Sequence, residues 1–186
     1  MTQAQQDQMF MKEALALARQ AGELGEVPIG CVITRDGEIV GRGYNRRETG
    51  KTALGHAELM AIEDACRNLG GWRLWQCRLY VTLEPCPMCA GAIINARIPV
   101  VVYGAPDPKA GSLGSLVNLF SFPYNHHPEV VAGVMGDACA GILRDFFRQL
   151  RRKKRELGTA TNIDKTGFSG YDRQVKDPCK EEEKTV

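Results

Sequence analysis

The sequence predicts an α/β sandwich built on a mixed sheet of five strands, and three observations lead to this fold class. Near the start, PIGCVITRDGEIVGRGYN has two β-branched, alternating runs around Asp36-Gly37, which predicts a hairpin. Further along, strand-like runs alternate with runs of helical periodicity. One of these runs, IPVVVYG, is apolar throughout, which is typical of a strand buried on both faces. Antiparallel and parallel pairing are therefore expected in one sheet.

Each element follows from a local pattern. In the first helix, Phe10, Ala14, Leu17 and Ala21 fall on one face. Pro87 suits the first turn of the helix that begins in PCPMC. The predicted helices span 7–22, 55–71, 85–96, 116–120 and 137–157. The predicted strands span 29–34, 38–44, 77–84, 98–104 and 129–134.

The last predicted helix is amphipathic and strongly basic. Its other face carries arginines, and RDFFRQLRRKKR has seven Lys or Arg residues against one Asp. Such a run is ordinarily a solvated helix face, but beside an active site it would suit nucleic acid phosphates. The apolar stripe of the helix, expected to face the core, comprises Cys139, Ile142, Leu143, Phe146 and Leu150.

Length and composition fit one globular domain with a polar tail. The chain has 186 residues, of which 44% are hydrophobic and 25% charged, and its net charge is +2. We expect residues 1–157 to form the domain, and residues 158–186, which lack periodicity, to be disordered. No apolar run reaches the ~20 residues that cross a bilayer, and no signal peptide is recognisable. These features predict a cytoplasmic protein that does not enter a membrane.

Two short stretches carry the residues expected to bind a metal. His56 lies in TALGHAELMA, and Cys86 and Cys89 lie in TLEPCPMCAG, in both cases at a predicted helix start. Zinc favours imidazole and thiolate ligands, and a helix N-terminus favours the negative charge of thiolates. The other cysteines lie in apolar stretches or in the tail, and His126 and His127 lie in a distant loop. Three ligands therefore remain, and the fourth position of zinc would be open to water.

Glu58 follows His56 by two residues and is the candidate proton carrier. A zinc ion with three protein ligands lowers the pKa of its bound water toward ~7, which makes hydroxide available as a nucleophile. A neighbouring carboxylate can take the proton of that water and give it to a leaving amine. Taken singly, these residues also fit a redox pair or a structural zinc site. Their combination, His-Ala-Glu followed by Pro-Cys-x-x-Cys, is typical of zinc deaminases.

On these motifs the chain resembles the bacterial tRNA-specific adenosine deaminases of the cytidine deaminase-like superfamily. Further matching stretches are GEVPIGCVI, GRGYNRRE, ARIPVVVYGAPDPKAGSLGSL and DFFRQLR. The resemblance implies a three-layer α/β/α sandwich of the cytidine deaminase-like fold. It also implies zinc as the cofactor, one ion per subunit, bound by His56, Cys86 and Cys89, with Glu58 as the catalytic proton shuttle.

The same resemblance implies which residues bind the substrate. Asn45 would hydrogen-bond the target base, and the strand start at Pro28, Ile29 and Gly30 would line the base pocket. The remaining RNA contacts would come from Asp107, Lys109, Asn125, His126, Phe146, its neighbour Phe147, and Arg148.

The function that follows is zinc-dependent, hydrolytic deamination of adenosine to inosine at the wobble position of a tRNA anticodon. The expected partner is the anticodon stem-loop, with arginine tRNA as the expected species, and the resemblance implies a homodimer. Three alternatives stay open: a deaminase of free guanine, cytosine or their nucleotides, a non-catalytic zinc-containing RNA-binding subunit, and an interaction domain with a structural zinc. The basic last helix and GSLGSL favour tRNA over a free base, and Glu58 argues against a non-catalytic subunit.

Overall fold

The computed structural model describes residues 1–160, in which helices and strands alternate after an opening hairpin. The five strands are β1 (Gly30–Arg35), β2 (Glu38–Tyr44), β3 (Cys77–Leu83), β4 (Val100–Ala105) and β5 (Glu129–Ala132). The helices are α1 (Gln3–Glu23), α2 (Ala57–Leu69), α3 (Pro87–Asn95) and α4 (Gly136–Ala160), with a 3-10 helix at Leu119–Ser121.

The sheet is mixed, as the sequence predicts, with the strand order β2-β1-β3-β4-β5. Strand β1 pairs antiparallel with β2 and β3, whereas β3, β4 and β5 pair in parallel. The predicted hairpin is confirmed: Asp36 and Gly37 have φ values of 53° and 81° between β1 and β2. Two successive positive φ values suit the twist of the flanking strands, and Asp-Gly tolerates them well.

Helices cover both faces of the sheet and make three layers. Successive side chains of β1 point to opposite faces, so Cys31 and Ile33 join the apolar cluster under α2 and α3. Val32 joins the second cluster with α1 and the first residues of α4. All three side chains are fully buried, and burial of Val32 and of Ile33 each contributes roughly 1.5–3 kcal/mol. The two clusters fix the sheet between the helix layers.

Glycines allow two helices to approach the sheet closely. A Cβ atom added at Gly30 of β1 would lie 2.1 Å from the carbonyl oxygen of Ala14 in α1. On β2, a Cβ atom at Gly43 would lie 2.1 Å from the carbonyl oxygen of Ala57, and one at Gly41 would lie 2.5 Å from another carbonyl oxygen of α2. No side chain fits at these contacts, so the start of α2 lies directly against the end of β2.

Several element boundaries differ from the sequence prediction. The position predicted for the short helix, 116–120, is wrong. The structure has a 3-10 helix at Leu119–Ser121, which Asn118 caps. Strand β5 ends before Gly133, whose φ of 81° breaks the extended backbone. The apolar stripe of α4 is only partly buried: Cys139 is inaccessible, whereas Leu150 is 39% exposed. The prediction that Leu150 packs in the core is therefore wrong.

The chain divides after Leu150, where residues 1–150 form one compact unit and residues 151–186 are assigned to a second. Helix α4 continues through the predicted end at residue 157 to Ala160. Residues 158–186 are the predicted disordered tail, and the part from residue 161 onward lies outside the described residues. The domain boundary at 157 stays a prediction. Within residues 1–160, no helix combines the length and apolar character needed to cross a membrane.

Candidate active site

Three residues with metal-binding side chains meet at the ends of two helices. His56 is the N-cap of α2, Cys86 is the N-cap of α3, and Cys89 lies in the first turn of α3. The Nδ1 atom of His56 lies 3.6 Å from Sγ of Cys86 and 3.5 Å from Sγ of Cys89. The three ligand atoms all lie within 4.8 Å of one another. The structure therefore brings together the three residues that the sequence predicts as metal ligands.

The donor set and its distances fit a zinc ion. In a tetrahedral site with Zn–N near 2.05 Å and Zn–S near 2.3 Å, a nitrogen and a sulfur ligand lie about 3.6 Å apart. The nitrogen–sulfur distances here are 3.6 and 3.5 Å. In addition, the partial positive charge of the α3 N-terminus favours thiolates at Cys86 and Cys89. His56, Cys86 and Cys89 could hold one zinc ion and would leave room for a fourth ligand.

The two thiols have different acidities. A hydrogen bond with Cys89, together with His56, lowers the pKa of Cys86 to about 4. The same bond and burial raise the pKa of Cys89 above its ordinary value. The hydrogen bond with Cys86 also raises the pKa of His56. One thiolate is thus already favoured in the absence of metal, and a coordinated cation would deprotonate the second thiol.

Glu58 lies in the first turn of α2, two residues after His56, and is 4% exposed. Burial raises the pKa of its carboxyl to about 7, and the negative charge of Cys86 adds to this effect. A carboxyl group with a pKa near neutrality can both accept and release a proton at physiological pH. Glu58 therefore has the burial, the position and the acidity expected of a proton carrier.

A cavity of about 230 Å³ adjoins this group. His56, Glu58 and Cys86 line its floor, and several loop residues line its walls. The loop residues that line the cavity include Glu26, Ile29, Asn45, Glu84 and Asp107. Side chains that could bind a metal, a buried carboxyl group and further polar groups thus share one cleft, and such a cleft is where ligand-binding sites are most often found.

Two buried carboxylates support the loops around the cavity, and the sequence analysis did not identify either. Glu84 is 2% exposed and accepts hydrogen bonds from the backbone N–H groups of Asp107, Leu113 and Ser115 at 3.1, 2.9 and 3.0 Å. The hydroxyl of Ser115 also donates to Glu84. Burial raises the pKa of Glu84, but these hydrogen bonds outweigh it, so the pKa lies below its ordinary value.

Glu26 supports the loop after β2 in the same way, by accepting hydrogen bonds from it. It is fully buried just before β1, and its hydrogen bonds come from Asn45, Glu48 and Thr49. Burial raises its pKa, and the bonds from Thr49 and Glu48 outweigh that effect, so the net pKa is lowered. The signal in the sequence is one acidic residue beside an apolar strand, in GEVPIG and in TLEPC. That signal is weak because it does not show which donors the carboxylate meets.

The predicted base-binding residues are divided between cavity and core. Asn45 and Ile29 line the cavity. Pro28 and Gly30 are buried beside it without lining it, and the N–H of Gly30 donates to the Thr82 hydroxyl at 3.2 Å. Their roles in binding a base stay predictions.

In the loop after β4, Asp107 lines the cavity and Lys109 does not. The backbone N–H of Lys109 donates to the carboxylate of Asp107 at 2.9 Å. Asp107 therefore shapes this loop as well as facing the cavity.

The predicted RNA-contact residues near the C-terminus lie outside the cavity lining. Asn125 accepts a hydrogen bond from Arg97, and Nε2 of His126 lies 2.8 Å from the carbonyl oxygen of Ile98. The rings of Phe146 and Phe147 are 5.4 Å apart, edge to face. Arg148 is exposed and forms an ion pair with Asp145 at 3.4 Å. These positions could contact only parts of a ligand that extend beyond the cavity.

A His-Cys-Cys group beside a buried glutamate, on a mixed α/β/α sandwich, defines the zinc-dependent deaminase class. Residues 4–105 match the cytidine and deoxycytidylate deaminase zinc-binding region. The chain belongs to this family of zinc-binding deaminases.

Known relatives narrow the resemblance. A protein of Bacillus subtilis (strain 168) named tRNA-specific adenosine deaminase is 52% identical over 151 residues, which cover 81% of this chain and 94% of the relative. A solved structure from a study of A-to-I editing by tRNA:A34 deaminases at the wobble position is 48% identical, with a TM-score of 0.71. The match covers 73% of this chain and 99% of that one.

A structure of guanine deaminase from Bacillus subtilis is also similar, at 32% identity and a TM-score of 0.51. That match covers 63% of this chain and 85% of the other.

Proposed function

We propose that this protein is a tRNA adenosine deaminase, which hydrolyses adenosine to inosine and ammonia at the wobble position of the anticodon. The observation that carries the proposal is the 52% identity to the Bacillus subtilis tRNA-specific adenosine deaminase, which extends over 94% of that relative. The His56, Cys86 and Cys89 group, with Glu58 buried beside it, supplies the chemistry that such an enzyme needs.

The proposed metal ligands are His56, Cys86 and Cys89, which would hold one zinc ion per subunit. When bound, zinc supplies a Lewis acid that makes water a nucleophile near neutral pH. The protein contributes two helix N-termini that hold the ligand side chains, and the N-terminus of α3 favours the negative charge of the two thiolates. Because His56 and Cys86 are both N-caps, their backbone positions are fixed by the packing of α2 and α3.

Glu58 is the proposed catalytic residue. Its carboxylate takes a proton from the attacking water as oxygen bonds to C6 of adenine. It delivers that proton to the ring nitrogen, then takes the remaining proton from the hydroxyl on C6 and gives it to the amino group, so that the C6–N bond breaks, a carbonyl forms at C6 and ammonia leaves. A pKa of about 7 suits both directions of transfer, and burial keeps bulk water from competing for the proton.

The cavity is the proposed base pocket. A base in an anticodon loop must leave the stack to reach it. Asn45, which is 4% exposed and lines the cavity, would hydrogen-bond the base, while Ile29 packs against the ring. Pro28 and Gly30 would support this wall from behind. Asp107, at the other wall, would contact the neighbouring nucleotide together with Lys109.

The remaining RNA contacts are proposed for the C-terminal part of the compact unit. Asn125 and His126 would face the stem-loop, and Phe146 and Arg148 of α4 would hold it. Support comes from the exposed guanidinium of Arg148 and from the basic run that follows it. Arginine can pair with phosphates bidentately, and RNA is recognised largely through unpaired bases and its backbone.

We further propose a homodimer that acts on arginine tRNA in the cytoplasm. Exposed apolar side chains on either side of the 3-10 helix, which contacts α3, support an interface between subunits, since Leu116 is 62% exposed and Phe122 and Tyr124 are each 47% exposed. A reducing compartment is supported by the cysteines of the described residues, all of which are free thiols. The choice of arginine tRNA rests on the family resemblance.

The test uses the purified full-length protein and an anticodon stem-loop with adenosine at the wobble position. The product is sequenced for inosine, with Glu58→Ala protein and free adenosine in parallel. We expect inosine only from the stem-loop and only with the unaltered protein. If the zinc-loaded protein leaves the stem-loop unchanged, the proposed substrate is wrong.

Deamination of free guanine is the second candidate, because the guanine deaminase structure is 32% identical over 85% of its length. The cavity could admit a free base as well as a base on an RNA. Ammonia release from guanine, cytosine and their nucleosides distinguishes the two functions. Release from guanine with no inosine in the stem-loop would favour this candidate.

A further inference from the structure

Glu26 is a fully buried carboxylate that belongs neither to the metal group nor to the apolar clusters. Its Oε2 atom accepts hydrogen bonds from Nδ2 of Asn45 at 3.3 Å and from the backbone N–H of Glu48 at 3.2 Å. Its Oε1 atom accepts from the backbone N–H and the hydroxyl of Thr49, at 2.7 and 2.8 Å. One carboxylate thus fixes both the loop after β2 and the side chain of Asn45.

We infer that Glu26 is a positioning residue for base recognition, which holds the Asn45 amide in one orientation and thereby sets the hydrogen-bond pattern that the pocket offers to a base. The inference rests on the proposed role of Asn45 in binding the base. Glu26 would act through Asn45 and not by reaching the reacting atoms itself.

The orientation follows from the chemistry of the two groups. An ionised carboxylate has no proton to donate and only accepts hydrogen bonds. The amide of Asn45 can therefore face Glu26 with its NH₂ group but not with its carbonyl oxygen. One N–H and the carbonyl oxygen of Asn45 remain for the cavity, and their places are no longer interchangeable. A base then meets a fixed donor and a fixed acceptor.

Burial makes this orientation matter. Asn45 is 4% exposed and Glu26 is inaccessible, so water cannot easily replace the bond between them. The hydrogen bonds from Thr49 and Glu48 keep the pKa of Glu26 low in spite of burial, so the carboxylate stays charged at neutral pH. A neutral amide in its place would permit Asn45 to flip, because either end of a second amide can pair with either end of the first.

Glu84 provides the matched control. It is 2% exposed, lines the same cavity and accepts hydrogen bonds from loop N–H groups, as Glu26 does. None of its described hydrogen bonds involves Asn45. Glu84→Gln therefore removes a comparable charge and loop contact without affecting the orientation of the Asn45 amide.

The first measurement is hydrogen exchange of the Asn45 side-chain amide by NMR, on full-length zinc-loaded protein. The resonance is assigned by its disappearance in Asn45→Asp. We expect one Nδ2 proton to be protected in the unaltered protein and in Glu84→Gln, and its protection to fall at least about tenfold in Glu26→Gln. Equal protection in Glu26→Gln would overturn the inference.

The second measurement is a double-mutant cycle on kcat/KM for inosine formation in the stem-loop. Glu26→Gln should reduce kcat/KM by about 10-fold to 100-fold, as expected for a lost buried charged hydrogen bond. In an Asn45→Ala background the same change should cost less than about threefold, because its target is already absent. Glu84→Gln should cost the same factor in both backgrounds. Equal losses from Glu26→Gln in both backgrounds would show that Glu26 only stabilises the loop.

Two arrangements keep the test decisive. If Glu26→Gln does not fold, Glu26→Asp replaces it in both measurements, since it keeps the charge but is one methylene too short for all four bonds. If the unaltered protein makes no inosine, the proposed function fails, while the exchange measurement still decides whether Glu26 orients Asn45. Unfolding midpoints of all variants are measured alongside.

Discussion

The first turn of α2 and the loop after β3 each place a carboxylate at the cavity, and the two carboxylates have opposite acidities. Glu58 and Glu84 are almost equally buried, at 4% and 2% exposure. Burial raises the pKa of Glu58 to about 7, whereas four hydrogen-bond donors outweigh burial at Glu84 and lower its pKa. The difference lies in the donors that surround the oxygens.

This contrast separates two uses of a buried acid. A carboxylate without enough donors is poorly solvated, holds a proton readily and can pass it on, which is the property a proton carrier needs. A carboxylate surrounded by loop N–H groups stays charged and holds those groups in place. Glu58 has the first property and Glu84 the second, although both line one cavity.

The largest expected effect is loss of turnover in Glu58→Ala. General acid–base catalysis contributes about 10²- to 10⁴-fold, so single-turnover inosine formation should fall by at least about 100-fold. Zinc content, measured by elemental mass spectrometry, should stay at one ion per subunit, because Glu58 is not a proposed ligand. Glu63→Ala is the control, since Glu63 lies exposed on the same helix in an ion pair with Arg67. If Glu58→Ala retained turnover, Glu58 would not be the proton carrier, and its proposed difference in role from Glu84 would be wrong.

Glu84→Gln should act on stability. Four donors would lose a charged acceptor, which costs about 2–4 kcal/mol in the free energy of unfolding. Because the pKa of Glu84 is lower in the folded protein, its stabilisation is complete above the ordinary value of 4.5 and is lost as the pH falls through the folded pKa. Denaturant unfolding at several pH values should show the two proteins converging in acid. A constant difference at every pH would mean that charge is not the cause.

Glu58→Gln should have the opposite pH dependence in protein stripped of metal. The raised pKa means that ionising Glu58 destabilises the folded state, with no cost below pH 4.5 and an increasing cost up to pH about 7. Metal-free Glu58→Gln should therefore be more stable than the metal-free unaltered protein at pH 8, by up to about 3 kcal/mol at 1.4 kcal/mol per pKa unit. Thermal unfolding in chelator at pH 4.5 and pH 8 measures this. Lower stability of the variant at pH 8 would contradict the assigned acidity.

The smallest expected effect is that of Arg148→Ala. Arg148 is exposed, and its ion pair with Asp145 is worth less than about 1 kcal/mol, so the unfolding free energy should barely change. If Arg148 contacts RNA phosphates, KM for the stem-loop should rise a few-fold, kcat should stay constant, and the salt dependence of binding should weaken. Arg19→Ala, on the exposed side of α1, is the charge-matched control. Equal KM values for the two variants would exclude a specific contact at Arg148.

The sequence predicts what local spacing determines. Asp36-Gly37 locates the hairpin, and the alternation of runs predicts the mixed sheet. His56, Cys86 and Cys89 meet as expected because each lies at a helix start that faces the same cavity. Local patterns were sufficient here because the ligands are fixed by elements whose starts are easy to recognise.

What the sequence does not predict depends on contacts between distant residues. Glu26 meets donors 19 to 23 residues away and Glu84 meets donors 23 to 31 residues away, in loops that have no periodicity. The exposure of Leu150 was missed for a related reason. Its helical spacing indicates an apolar stripe, but only the packing of neighbouring elements decides how far along α4 that stripe is covered.

The glycines of β2 limit how this enzyme can be changed by directed evolution. Gly41 and Gly43 let α2 rest on β2, and that contact sets the separation between Asn45, at the end of β2, and His56 and Glu58, at the start of α2. Libraries aimed at new substrates can vary the loop residues at the rim one at a time. A larger residue at either glycine would displace the proposed base-recognition side chain and the proposed reaction centre together, so few substitutions at these two positions should survive selection for activity.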